Sequence, residues 1–252
     1  MTNKLKYFIG NWKMFGDFSS YRIVHKINQD AKKYTNSKKA KVVLCVPNIL
    51  IDFFKRKVKK KSISLGAQNC FHQDGYGAYT GAVSASMLKK MGSEYIILGH
   101  SENRSEGETP NLIKKKIICA HNQKLNIIFC IGETQKEKKM GKTFSVIRNQ
   151  IKKSLENKLI NNKIILAYEP VWSIGTNKIL NMKDLQNVIR FSKNDFKKNF
   201  TTRISPKVLY GGSVNSQNIK LLSSIPEIDG FLIGGASQSA KKFIDIIRNY
   251  YK

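Results

Sequence analysis

Residues 126–168 read NIIFCIGETQKEKKMGKTFSVIRNQIKKSLENKLINNKIILAY, and this stretch decides the fold. It begins with the β-rich run 126–131 and ends with the β-rich run 164–168. The segment between them carries an apolar residue at every fourth position: Ile147, Ile151, Leu155 and Leu159. Residues four apart share one face of a helix, so this segment is predicted to be an amphipathic helix. Strand, helix and strand in this order are typical of two parallel strands in one sheet.

The same alternation recurs along the whole chain. Eight runs are predicted to be strands: residues 7–12, 42–46, 64–68, 95–98, 126–131, 164–168, 207–210 and 230–233. A second apolar stripe of helical period comprises Ala240, Phe243, Ile244, Ile247 and Tyr251. Thr109 before Pro110 is typical of a helix start. No linker rich in Pro, Gly or Ser divides these units, so residues 1–252 are predicted to form one α/β catalytic domain, a single-domain (β/α)8 barrel.

The composition fits a folded chain. With 252 residues, 41% hydrophobic and 25% charged, it can bury a sizeable core. The sequence contains no stretch of 18 apolar residues, so it predicts no membrane-spanning helix. The apolar run 7–10 is too short for a signal peptide. The four cysteines lie far apart without a CxxC motif, which predicts free thiols in a cytosolic protein and neither a zinc nor a redox site.

The net charge of +28, from 45 Lys and Arg against 17 Asp and Glu, indicates anionic partners such as nucleic acid or phosphate esters. The densest basic run, residues 55–61, is typical of a nucleic-acid patch or of a solvated outer face, and we favour the solvated face. Nucleic-acid binding needs basic residues on one face with aromatics between them. Lysines are instead scattered over nearly every predicted helix, so nucleic acid is not the expected partner.

Polar residues follow the predicted strands, at the end where barrel enzymes carry their chemistry. Asn11 and Lys13 follow the first strand two residues apart and point to the same side. His100 follows the fourth strand, and Glu169 follows the sixth. A carboxylate placed there is partly desolvated, which makes it a better base near neutral pH. The alternatives are a structural histidine and a charged residue that closes a strand at the rim.

The loops after the last three strands indicate a covered phosphate site. Residues 170–175 form an apolar segment flanked by Pro170 and Gly175, which is typical of a lid over a ligand. The pairs Gly211-Gly212 and Gly234-Gly235 follow the seventh and eighth strands, where barrels commonly bind phosphate. One glycine pair is an ordinary turn. Two pairs at these two positions predict backbone N–H groups that approach an anion.

Several motifs, taken together over essentially the whole chain, resemble the triosephosphate isomerase family. They are Gly10-Asn11-Trp12-Lys13-Met14, Gly66-Ala67-Gln68-Asn69, Gly77-Ala78-Tyr79-Thr80-Gly81, Leu98-Gly99-His100-Ser101-Glu102, Cys130-Ile131-Gly132-Glu133, residues 167–176 and Tyr210-Gly211-Gly212-Ser213-Val214-Asn215. Chance agreement of all of them in this order is negligible.

The resemblance implies a TIM barrel that interconverts dihydroxyacetone phosphate and D-glyceraldehyde 3-phosphate in glycolysis and gluconeogenesis, without metal or organic cofactor. It implies that Glu169 removes the proton beside the carbonyl. It also implies that His100, as a neutral imidazole, and Lys13 with Asn11 stabilise the charge on oxygen, while Glu102 pairs with Lys13. Backbone N–H groups expected to bind the phosphate of the substrate belong to Gly175, Ser213, Gly234 and Gly235.

The resemblance further implies a homodimer, although three positions depart from the family pattern. Asn177 stands where the lid usually has a second glycine, and asparagine tolerates positive φ. Ala82 replaces an acidic residue and Asn103 replaces an arginine, which pair between subunits in the family. Because both partners of this pair are lost together, no uncompensated charge remains, and the dimer is expected to persist.

Two alternatives stay open at this point. A different phosphate-binding barrel that acts on a larger sugar phosphate would use the same loops after strands seven and eight. It leaves the set of Asn11, Lys13, His100 and Glu169 unexplained. Nucleic-acid binding, motivated by the charge, predicts strong salt dependence of binding to duplex DNA.

Overall fold

A closed barrel of parallel strands confirms the predicted (β/α)8 fold. The computed structural model describes residues 5–58, 62–176 and 180–252. In these ranges the strands are β1 (Lys6–Asn11), β2 (Ala40–Cys45), β3 (Ser64–Ala67), β4 (Tyr95–Leu98), β5 (Asn126–Ile131), β6 (Ile164–Tyr168), β7 (Lys207–Tyr210) and β8 (Gly230–Ile233). They pair in sequence order, and β8 pairs with β1 to close the barrel.

The predicted bounds are correct for five strands and wrong for β1, β2 and β3. β1 begins one residue before the predicted start and ends one residue early, ahead of Lys13, whose φ of 56° turns the backbone away from the sheet. β2 begins two residues before the predicted start, because Ala40 pairs with Lys6 of β1, and it ends one residue early. β3 also ends one residue early. Pairing with a neighbour therefore decides where these strands start and stop.

The helices lie between the strands and cover the barrel. They are α1 (Tyr21–Asn36), α2 (Asn48–Lys57), α3 (Ala85–Met91), α4 (Ser101–Ser105), α5 (Pro110–Asn122), α6 (Gln135–Lys139), α7 (Thr143–Ser154), α8 (Met182–Asn199), α9 (Ile219–Leu222) and α10 (Ala240–Tyr250). The Thr109 hydroxyl accepts the Leu112 N–H at 3.3 Å, which confirms the predicted start of α5. Within the described ranges, none of these helices has the length and apolar character needed to cross a membrane.

The helical stripe predicted between β5 and β6 is only half helix. Ile147 and Ile151 are buried on α7, but this helix ends at Ser154. Leu155 is extended, and Leu159 lies in a short 3₁₀ turn, yet both are buried. Burial of an apolar side chain requires only that it faces the core, so a stripe continues where the helix has stopped. Of the second stripe, Phe243, Ile244 and Ile247 are buried on α10 and Ala240 is partly buried at its start, whereas Tyr251 lies one residue beyond the end of the helix.

Alternate residues of each strand enter two separate cores. In β1, Phe8 packs between the barrel and the helices, whereas Ile9 packs inside the barrel. The four cysteines are buried free thiols, as predicted. Apolar side chains fill the interior of the barrel, so polar side chains gather at its C-terminal rim, beyond the last buried layer.

Candidate active site

A cleft of about 430 Å³ opens at the C-terminal ends of the strands. All eight residues predicted to react or to bind substrate line this cleft: Asn11, Lys13, His100, Glu169, Gly175, Ser213, Gly234 and Gly235. Glu102 borders an adjoining recess of about 350 Å³, which it shares with Asn11, Lys13 and His100. The structure therefore brings together every site residue that the sequence predicts, although these residues come from the ends of five different strands.

Glu169 follows β6 and is held with its carboxylate beside His100. Its backbone N–H donates to the carbonyl oxygen of Ile131 at 2.8 Å, which continues the β5–β6 pairing by one residue. The carboxylate is buried, and its Oε1 lies 3.4 Å from Nε2 of His100. The other oxygen, Oε2, is buried without a hydrogen-bond partner among the described residues. This oxygen is therefore available to a group of a ligand in the cleft.

Two glycines fix the position of Glu169, and sequence reasoning missed this role. A Cβ on Gly132 would lie 1.9 Å from the carbonyl oxygen of Glu169, and a Cβ on Gly211 would lie 2.6 Å from its Cγ. Gly132 had been recognised only as part of a motif, and Gly211 only as part of a phosphate loop. The available signal was their position, because both directly follow the strands β5 and β7 that flank β6.

His100 presents Nε2 to the cleft, and a hydrogen bond at its other ring nitrogen determines the tautomer of the neutral ring. Its Nδ1 accepts the backbone N–H of Glu102 at 3.2 Å, so the neutral ring carries its proton on Nε2. Burial lowers the pKa of His100, but the charge of Glu169, its hydrogen bond to the ring and the charge of Glu102 together outweigh burial. The pKa of His100 is therefore raised above its ordinary value.

Lys13 reaches the cleft because its backbone adopts an uncommon conformation. Its φ of 56° is rare for a residue with a side chain. The Asn11 side chain supports this turn, since its Oδ1 accepts the Lys13 backbone N–H at 3.1 Å. The Lys13 ammonium forms an ion pair with Glu102. Asn11 and Glu102 therefore hold this cation at the mouth of the cleft.

The glycine loops leave open space where an anion is expected. A Cβ on Gly235 would meet no protein atom within 4 Å, and a Cβ on Gly234 would meet only Lys13 Cε at 3.9 Å. The Ser213 N–H donates to the Ser173 hydroxyl over 3.4 Å, a long hydrogen bond. Gly234 and Gly235 therefore leave room for a ligand to approach their backbone from the cleft.

The segment after Glu169 is anchored through a tryptophan. The Trp172 indole N–H donates to Glu133 Oε1 at 3.1 Å, and the Tyr168 hydroxyl donates to the same carboxylate at 3.2 Å. Burial raises the pKa of Glu133. The Lys138 ammonium lies 3.6 Å from the centre of the Trp172 ring. Asn177, the predicted departure in the lid, lies outside the described residues.

Comparison with known proteins agrees with this geometry. The model of the triosephosphate isomerase family matches residues 6–250. The chain belongs to the triosephosphate isomerase family. The match covers nearly the whole chain, so it confirms the resemblance drawn from the separate motifs.

Individual members of the family align over almost their full length. The triosephosphate isomerase of Taenia solium is 40% identical over 253 residues, which cover 98% of each chain. That of Hydrogenovibrio crunogenus is 41% identical over 243 residues, 94% of each chain. The crystal structure of triosephosphate isomerase from Bartonella henselae superposes with a TM-score of 0.88 at 34% identity and covers 98% of this chain and 99% of its own.

Proposed function

We propose that this chain interconverts dihydroxyacetone phosphate and D-glyceraldehyde 3-phosphate by moving a proton between neighbouring carbons, as a step of glycolysis and gluconeogenesis. The observation that carries the proposal is the 3.4 Å approach of the Glu169 carboxylate to Nε2 of His100 on the wall of one cleft. Membership of the family supports the substrate. One catalytic domain over residues 1–252 and a cytosolic location remain predictions from the sequence.

A coupled assay on purified protein with dihydroxyacetone phosphate is the direct test. Turnover of this substrate supports the proposal. Turnover of a larger sugar phosphate, with none of the triose phosphate, would instead support the other type of phosphate-binding barrel.

Glu169 is the proposed base. It takes the proton from the carbon beside the carbonyl, the electron pair of that bond forms a carbon–carbon double bond, and the carbonyl oxygen becomes negative. The negative oxygen takes a proton and the neighbouring hydroxyl gives one up. The carbon that held the carbonyl then receives a proton, and the carbonyl forms on its neighbour, which gives the other triose phosphate. A general base contributes about 10²–10⁴-fold and one oxyanion donor about 10²–10³-fold, so neither is sufficient alone. Nε2–H of His100 and the Lys13 ammonium supply the donors.

The electrostatic surroundings of His100 change during this step. The resemblance implies a neutral imidazole, whereas an ionised Glu169 raises the pKa of His100 in this structure. The main attraction that raises it comes from Glu169, which becomes neutral once it has taken the substrate proton. The negative charge then lies on the substrate oxygen, while burial continues to favour the neutral ring. Imidazole can therefore act as a neutral donor when the oxyanion forms.

Replacement of Glu169 by glutamine is therefore expected to lower the pKa of His100. Glutamine removes the negative charge that raises this pKa and leaves the effect of burial in place. Nuclear magnetic resonance titration of ring nitrogen shifts in parent and variant measures the change, with exposed His25 as the internal reference. An unchanged or higher His100 pKa in the variant would show that Glu169 does not control its charge.

The phosphate of the substrate is proposed to bind backbone N–H groups of the glycine loops. Space beside Gly234 and Gly235 supports this assignment, as does the position of Ser213 on the wall of the same cleft. Gly175 lines the opposite side of the cleft with a φ of 70°. Residues 170–175 are proposed to act as the lid that excludes water, because an enediol phosphate in water can eliminate its phosphate.

Gly211→Ala is expected to lower turnover by about tenfold or more. The new methyl carbon would lie 2.6 Å from Cγ of Glu169, so the base must move by several tenths of an ångström. A displacement of about 1 Å can cost about 10²-fold in rate. Steady-state kinetics should show the loss mainly in kcat, since the alanine methyl group would displace the base and leave the phosphate loop Gly234-Gly235 in place. A loss confined to KM would assign Gly211 to phosphate binding alone.

A homodimer is proposed for the assembly. Large apolar side chains are exposed on the loops around the recess beside Lys13 and Glu102 and on the loop of residues 74–82: Met14, Phe15, Ile49, Tyr76 and Tyr79. Exposed apolar surface of this extent is typical of an interaction site. A loop with exposed aromatic side chains and a recess on the same chain suit a two-fold contact between identical copies.

Sedimentation equilibrium tests the dimer and its missing ion pair. The parent is expected to be a dimer, Ala82→Glu to weaken association by adding an unpaired carboxylate, and Ala82→Glu with Asn103→Arg to recover it. Asn149→Glu, on the exposed face of α7, controls for the change in net charge. A monomeric parent, or an Ala82→Glu protein that associates more tightly than the control, would contradict the proposal.

A further inference from the structure

The cleft continues past the glycine loops into a part that the isomerisation does not use. This outer part is lined by residues 214–217 and, from α10, by Lys242 and Ile246. Clefts of about 300–1,000 Å³ hold drug-sized molecules. At about 430 Å³, this cleft has room for more than three carbons and one phosphate. The outer part can therefore take a further group of the same ligand.

Lys242 makes this outer part electropositive. It is exposed, and its backbone N–H donates to the Ser239 hydroxyl that caps α10. Along the same helix, Asp245 pairs with Arg248 at 2.9 Å. Among the described residues, no carboxylate forms an ion pair with the Lys242 ammonium, and Glu169 is the one acid on the cleft wall. The cation therefore has its charge available to a ligand.

The neighbouring groups complete a polar surface around Lys242. Ser216 and Gln217 line the wall of the cleft beside it. The backbone there is fixed, because Asn249 Nδ2 donates to the Ser216 carbonyl at 2.9 Å and Asn215 Oδ1 accepts the Gln217 N–H at 2.9 Å. Hydroxyl, amide and ammonium donors on a fixed wall suit the oxygens of an anion.

We propose that this outer part is a second anion subsite, so that the cleft binds compounds with two consecutive phosphate groups. The first phosphate occupies the glycine loops, and the second lies against Lys242. The inference rests on the proposed function, because it takes the glycine loops as the site of the first phosphate. A diphosphate offers no carbon acid to Glu169, so it binds as a competitive inhibitor.

Inhibition by inorganic phosphate and inorganic pyrophosphate tests the subsite in the coupled assay, at constant ionic strength and without divalent cations. Pyrophosphate is expected to inhibit the parent about fivefold more tightly than phosphate, the size of one partly exposed ion pair. Lys242→Met should lose this advantage. Lys241→Met is the matched control, since Lys241 is exposed on the same turn of α10 but does not line the cleft.

Each outcome decides one claim. Pyrophosphate no tighter than phosphate, or equal losses in Lys241→Met and Lys242→Met, would overturn the second subsite and leave the phosphate site intact. No competition by either anion would instead overturn the phosphate site of the proposed function. ADP as a third inhibitor distinguishes the sources of the diphosphate: inhibition as tight as that of pyrophosphate assigns the subsite to nucleoside diphosphates, and weaker inhibition assigns it to the free anion.

Discussion

Replacement of Glu169 by glutamine is expected to lower turnover by at least about 10²-fold, and up to about 10⁴-fold, the usual contribution of a general base. Glutamine keeps the volume of the side chain in its tight position between Gly211 and His100 but cannot take a proton from carbon. The loss should lie in kcat, because the glycine loops that hold the phosphate are untouched. The coupled assay measures it, with circular dichroism to verify the fold.

Glu106→Gln is the matched control, since Glu106 is an exposed carboxylate outside the cleft. Its turnover should equal that of the parent. A Glu169→Gln protein that retains turnover within about threefold of the parent would end the assignment of Glu169 as the base, because a lost base demands about a hundredfold or more.

Gly235→Val is expected to lower kcat/KM by about 10²-fold or more. A Cβ at this position meets no protein atom within 4 Å, so the fold can accommodate the larger residue, while its side chain enters the space assigned to phosphate. Two lost hydrogen bonds to a charged group, at about 1.5–3 kcal/mol each, correspond to about 10²–10⁴-fold. Inhibition by inorganic phosphate should weaken in parallel.

Two further variants calibrate this result. Gly235→Ala should give a smaller loss in the same direction, since a methyl group obstructs less of the anion. Lys152→Gln, on the exposed face of α7, should have a much smaller effect, because it removes only distant charge. Unchanged phosphate affinity in a folded Gly235→Val protein would place the anion site elsewhere.

The sequence predicted the barrel because each strand is a short apolar run between polar segments. Strands such as β5 and β6 were therefore placed with correct bounds. Prediction from the sequence failed where contacts between distant residues decide the ends of a strand or helix. β2 starts at Ala40 because of a partner in β1, and α7 stops at Ser154 while buried leucines continue beyond it.

The candidate site shows the same division. The identities of His100 and Glu169 could be predicted, because each follows a strand of a barrel whose chemistry lies at that end. Their coupling could not, since the distance between Nε2 and Oε1 depends on how β4 and β6 are placed around the barrel. The restriction that Gly132 imposes on the Glu169 backbone is likewise a contact between strands, which no local pattern encodes.

The chain has two tryptophans, and because their surroundings differ, their fluorescence reports on different parts of the fold. Trp12 is fully buried and donates its indole N–H to the Ser237 carbonyl at 3.0 Å, so its emission reports on the packing of the segment after β1 against the segment after β8. Trp172 lies in the segment that follows the base, between a buried carboxylate and an ammonium over its ring. Any movement of that segment changes the electric field across this indole. The native protein therefore contains an optical reporter of its own catalytic loop, without an added dye.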